Sequence, residues 1–137
     1  MVHELLAELR NPEQLAPALE RRVKRGLISE EQRTELQQKI GYFLTLPEVQ
    51  NWLQWPGTVL RERALISPSG QLLVPDLVLL SPHEAVIIDY KTSAEHPEHE
   101  AQVKQYSQAV SAMGYKSVSA YLIYLNDLVI KPVGLGA

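Results

Sequence analysis

Two acids and a lysine stand in this sequence where charge is costly to keep. Asp76 is the only charged residue in the apolar run LLVPDLVLL, residues 72–80, and Asp89 follows Val86-Ile87-Ile88 directly. An unpaired charge deep in a sheet costs several kcal/mol, about, unless a partner or a metal meets it. In an extended strand side chains alternate, so Asp89 and Lys91 share one face while Ile88 and Tyr90 take the other. Pro75, just before Asp76, marks an edge or a bulge. The short Ser81-Pro82-His83 connection makes the two segments antiparallel neighbours, which brings Asp76 and Asp89 together at one end of the hairpin. Two close carboxylates repel unless a cation sits between them, and hard Mg²⁺ or Mn²⁺ prefers such oxygen ligands. The plainer alternatives are an Asp–Lys pair at a strand end and an Asp in a turn or bulge.

The elements that must position these residues fall into two halves. Apolar residues at Leu5, Leu6 and Leu9 predict a helix over 2–10, Asn11-Pro12 starts a second segment ending near Gly26, and Ser29-Glu30-Glu31-Gln32 resembles a capping box opening a helix over about 30–44. Pro47 suits the first turn of a short helix carrying Val49, Trp52 and Leu53, which Pro56-Gly57 stops. The period then changes. Segments 58–67, 71–80 and 85–91 are rich in Val, Ile and Leu between turn signals and predict a three-strand meander. A helix from Pro97 to about Met113, closed by Gly114, and strands over 117–125 and 128–133 complete the chain. The expectation is a mixed α/β fold in a single domain, residues 1–137, with a helical part over about 1–56 and a sheet core over about 57–137.

Pro75-Asp76, with Asp89-x-Lys91 thirteen residues on, resembles the PD-(D/E)XK nuclease motif, and the string IIDYKTS is similar to the RecB-type branch of that superfamily. Gln102 and Tyr106 fit the Q-x-x-x-Y motif of RecB-type nucleases, at a spacing that puts both on one helical face. Glu62 fits the upstream acid in the preceding strand. His3 in VHELLAEL looks like the N-terminal motif G-x-x-x-H-x-x-L, although the motif's Gly is absent. RGLISEEQ and LPEVQNWL are similar to the nuclease region at the C-terminus of AddA- and RecB-like, UvrD-type helicases.

The resemblance implies a restriction-endonuclease-like αβββαβ core and a Mg²⁺- or Mn²⁺-dependent deoxyribonuclease. It implies an exonuclease domain of a helicase-nuclease acting in double-strand break repair and recombination. Asp76, Asp89, the carbonyl of Tyr90 and His3 would hold metal, with Glu62 completing the shell. Lys91 would contact the attacking water or the phosphate, and Gln102 and Tyr106 would steady the site or the DNA. The expected partners are DNA and a helicase region, on the same parent polypeptide or in a partner subunit. The alternatives are a catalytically inactive DNA-binding or scaffolding domain of the same fold and a standalone restriction-type endonuclease.

Composition limits these readings. The 137 residues include no cysteine, so thiolate chemistry, disulfides, Cys-ligated zinc and the iron–sulfur cluster of AddB-type relatives are excluded. The chain lacks a phosphate-cradling G-x-x-x-x-G-K-[ST] motif. The formal charge of -3 gives no general affinity for nucleic acid. No apolar run approaches a membrane span, and a soluble, cytoplasmic protein is expected. A chain starting at the edge of a motif is expected to be an excised domain, with a small standalone protein as the alternative. His96 and His99 read as a polar loop running into a helix start rather than a metal cluster, and Arg21-Arg22-Val23-Lys24-Arg25 as a solvated helix face rather than a phosphate contact.

Overall fold

The computed structural model describes residues 2–135, which form two compact units, one running up to Gln54 and the other beginning at Trp55. No helix among these residues is long and apolar enough to cross a membrane.

The first unit is helical. α1 (Val2–Glu8) stops two residues before the expected Arg10, and the segment expected from Asn11 to Gly26 divides into a single 3-10 turn, Pro12–Gln14, and α2 (Leu15–Lys24). Gly26, at φ 72°, takes the left-handed conformation that ends α2. α3 (Glu30–Thr45) opens on the predicted capping box. The Gln32 amide donates to Ser29 Oγ at 3.1 Å, and the Ser29 amide donates to Gln32 Oε1 at 2.8 Å. Pro47 begins α4 (Pro47–Leu53). Leu5, Leu15, Leu19, Ile40 and Leu44 are fully buried. Three of the four cations in the basic run pair within this unit: Arg22 and Arg21 reach Glu8 at 2.9 Å and 3.4 Å, and Lys24 pairs with Glu20.

The second unit is a mixed five-stranded sheet of order β1-β4-β5-β6-β7, built from β1 (Thr58–Arg61), β4 (Leu77–Leu80), β5 (Glu84–Lys91), β6 (Ser117–Tyr124) and β7 (Val129–Pro132). β5 lies between antiparallel β4 and parallel β6, and α5 (Pro97–Ala112) makes the crossover that a parallel pair requires. This order matches the βββαβ part of the expected core. The meander differs from expectation in one respect. Each of its first two segments breaks in the middle, and the inner pieces, β2 (Leu65–Ile66) and β3 (Leu72–Leu73), pair with each other as a separate two-stranded hairpin. Pro75 lacks an N–H for the ladder and enforces the break before β4.

One sheet face packs against α5. Val78, Ala85, Ile87, Ala120 and Leu122 pack against Val103, Tyr106, Ala109 and Val110 of α5, and the hairpin adds Leu65 and Leu73. Because side chains alternate, the residues that follow Ile87 on this face are Asp89 and Lys91.

Gly57 sets how closely β1 approaches β4. A Cβ there would stand 2.1 Å from the carbonyl oxygen of Leu80, which also accepts the Trp55 indole N–H at 3.0 Å. Gly57→Ala is therefore expected to cost about 1–3 kcal/mol, the range for forced overpacking, in urea unfolding. A loss below about 0.5 kcal/mol, the scale of an inert surface change, would contradict this reading.

Candidate functional site

The strand registers assemble the site. The last paired positions at this end of the sheet are Arg61↔Leu77 and Leu77↔Ile88. One residue further along, the same registers set Glu62 opposite Asp76 and Asp76 opposite Asp89. Three acids thus stand in one row across the ends of β1, β4 and β5. Glu62 and Asp76 both lie just outside their strands rather than within them, correcting the expectation that each sits inside a continuous strand.

Backbone amides of Asp76 and Tyr90 tie the Asp89 and Asp76 carboxylates across the strand ends. The Tyr90 amide donates to Asp76 Oδ2 at 2.8 Å, and the Asp76 amide donates to Asp89 Oδ1 at 3.3 Å. Side chains thereby take over where the β4–β5 ladder ends, which holds both carboxylates at the sheet margin. Asp89 is 3% exposed, and its other oxygen, Oδ2, pairs with Lys91 Nζ at 2.9 Å. A buried carboxylate survives because an ammonium and an amide face it. Lys91 Nζ also donates to Gln102 Oε1 on α5 at 2.5 Å, so the ammonium is fixed between the strand and the helix.

Glu62 and Asp76 have carboxylate oxygens within 4.8 Å of each other. Two ligands of one hard cation, each about 2.0–2.6 Å from it, span that distance. The donor set is oxygen, with no thiolate, so the residues fit Mg²⁺, Mn²⁺ or Ca²⁺ rather than a soft metal. Glu62 is exposed and leaves the row open to solvent. Its backbone has φ 50°, in the left-handed region that side chains other than glycine seldom take, and its amide donates to the Asp76 carbonyl at 3.0 Å. The strain lets the chain leave β1 abruptly for the β2–β3 hairpin while keeping the carboxylate beside Asp76.

The other residues singled out in the sequence divide clearly. Gln102 reaches Lys91, whereas Tyr106 is buried in the core between α5 and the sheet. Burial, with the Asp89 and Asp76 carboxylates nearby, pushes the Tyr106 phenol up to about 12. Burial likewise raises Tyr90 to about 12 against the opposing pull of Arg61, with Asp76 and Asp89 adding to the rise. Both phenols stay neutral at any ordinary pH. The contact that ties Tyr90 to the acids runs through its amide, a donor the sequence reading left out in favour of its carbonyl. His3 lies on α1, in the first unit.

His96 and His99 have structural work. His96 caps α5, its Nδ1 accepting the Glu98 amide at 3.1 Å, while His99 Nδ1 meets the Tyr124 hydroxyl at 2.9 Å. The nearby acids Glu95 and Glu100 both pair with Lys131.

No family model matches this chain, and no curated protein matches it in sequence.

The strain at Glu62 yields a test that separates stability from ligation. Glu62→Gly is expected to stabilise the metal-free protein by up to about 1 kcal/mol, because glycine tolerates positive φ, and to weaken Mn²⁺ binding in calorimetric titration. A variant that loses stability and keeps its metal affinity would refute both halves.

Proposed function

We propose that this chain is a Mg²⁺- or Mn²⁺-dependent deoxyribonuclease of the PD-(D/E)XK type. We further propose that it is an exonuclease domain of a cytoplasmic, RecB/AddA-like helicase-nuclease in double-strand break repair and recombination. The observation that carries the reading is the interlocked Asp76–Asp89 pair with Lys91 fixed beside it. Asp89 and Lys91 on β5 and Asp76 just ahead of β4 meet at one sheet margin, an arrangement for which ordinary packing has no need. The hairpin break and the strained Glu62 both run against local backbone preference, and both stand beside these acids.

Asp76, Asp89 and Glu62 would hold the cation. A bound divalent ion supplies charge neutralisation at the scissile phosphate and a water acidified for attack. Lys91 contributes a compact ammonium whose position is set by Asp89 Oδ2 and Gln102 Oε1. Placed beside a phosphate oxygen or the attacking water, it favours the more negative species as charge develops. Gln102 acts as a positioning residue: it donates nothing to the ammonium and only fixes its direction. Tyr106, neutral and buried, supports α5 under Gln102. The substrate would be DNA, delivered by a helicase region on the same parent polypeptide or in a partner subunit.

The test is cleavage of end-labelled linear and closed circular DNA with Mg²⁺ or Mn²⁺. Linear DNA is expected to be degraded and circular DNA spared, with EDTA abolishing the reaction. Asp89→Asn and Lys91→Arg should each slow it about a hundredfold or more, the latter because a guanidinium fork cannot take the place of a compact ammonium between Asp89 and Gln102. Cleavage at the normal rate by Asp89→Asn, or undiminished cleavage in EDTA, would refute the reading.

A further inference from the structure

The β2–β3 hairpin is apolar on both of its faces. Leu65 and Leu73, a cross-strand pair, are buried in the core against α5. Ile66 and Leu72, the next cross-strand pair, point the other way and are 66% and 65% exposed. Val74 extends the same surface. A single exposed aliphatic residue means little, but the outer face of a hairpin at a sheet margin is ordinarily polar, and here its paired positions are both large and apolar.

The hairpin's turn is closed by its own hydrogen bonds. The Ser67 amide donates to the Gln71 carbonyl at 2.8 Å, the Gly70 amide to the Ser67 carbonyl at 2.9 Å, and Ser67 Oγ accepts the Gln71 amide at 3.0 Å. Gly70, at φ 85°, supplies the conformation the turn needs. At its foot the hairpin is closed by the Glu62 amide bonded to the Asp76 carbonyl. The chain therefore enters and leaves this device through two of the carboxylates of the candidate site.

We propose that Ile66 and Leu72 form an apolar platform for the bases of the DNA strand whose phosphodiester lies at Asp76 and Asp89; this rests on the nuclease reading above. Ile66 is four residues beyond Glu62, and Leu72 four residues before Asp76. Four extended residues reach at most about 13 Å. That corresponds to roughly four nucleotides at a rise of about 3.4 Å. The platform thus meets a base within about four nucleotides of the cut. Charge favours a nucleic acid over a second copy of the chain or another apolar surface. Although the chain as a whole is at -3, residues 63–75 contain no acid, and their one charge is Arg63, exposed at the hairpin's foot where a phosphate would pass. An apolar wedge with a cation at its base holds an unstacked nucleotide by the two features every nucleotide offers, a flat base and a phosphate.

The experiment titrates the protein, with Ca²⁺ in place of Mg²⁺ to hold back turnover, against single-stranded oligonucleotides carrying a fluorescent adenine analogue at successive positions. The wild type is expected to change the fluorescence at one position within about four nucleotides of its cleavage site. Ile66→Ser/Leu72→Ser should bind about tenfold more weakly and lose that signal, as expected for one lost base contact. Ile66→Trp should bind more tightly than wild type, a gain that no folding defect imitates. An unchanged affinity and profile in the double variant would overturn the platform. So would a change from dimer to monomer in sedimentation with DNA affinity untouched, which would assign the surface to a second copy. A wild type that cuts DNA but shows no base signal overturns the platform alone, and one that neither binds nor cuts DNA overturns the nuclease reading with it.

Discussion

Like charges set side by side in a protein demand a reason, and the architecture of the second unit is arranged around one such demand. Glu62, Asp76 and Asp89 share a row at the ends of three neighbouring strands, and the last two accept backbone amides across the gap, Asp89 from Asp76 and Asp76 from Tyr90. Without a cation, the repulsion is held in check by the Tyr90 and Asp76 amides and by the Lys91 ammonium. Taking away Lys91 would strand Asp89 in the interior, a loss of the kind that costs about 3–5 kcal/mol when a buried pair is broken. The same lysine is thus both the counter-ion that lets the site fold and the group that the proposed chemistry uses.

What surrounds the row follows from holding it in place. β5 runs through the centre of the sheet, so the acid it carries is fixed by ladders on both sides. α5 covers the apolar part of that face and reaches the charged part with Gln102, one turn before the buried Tyr106. Gly57 lets β1 close up to β4 at the sheet end away from the acids, where nothing but backbone fits. Two features that run against local preference, a left-handed glutamate and a strand broken at a proline, stand at the row itself, while the other left-handed side chain, Leu128, serves the tight turn between β6 and β7.

Much of this was legible in the sequence, for identifiable reasons. The capping box at Ser29, the glycines that end α2 and α5, and the crossover helix between β5 and β6 are local signals, and the chain obeys them. Alternation along Val86–Lys91 placed Asp89 and Lys91 on one face, and the short turn at Ser81-Pro82-His83 placed Asp76 across from them. The separate hairpin was not legible. A run such as Leu72–Leu80 reads as one strand by composition, and only the register shows that Leu72 and Leu73 pair with a different neighbour from Leu77. Nor could alternation place Glu62: its positive φ is a tertiary constraint, imposed by the chain having to leave β1 while the carboxylate stays beside Asp76. Tyr106 shows the opposite limit, since a motif position and a core position look alike when both want an aromatic on the inner face of a helix.

Anomalous scattering from crystals grown with Mn²⁺ probes the proposal that the row of acids seats one hard cation. A single strong peak is expected about 2.0–2.3 Å from carboxylate oxygens of both Asp76 and Asp89, beside the Lys91 ammonium. Crystals with no peak there, or with manganese bound at His96 and His99 instead, would contradict it.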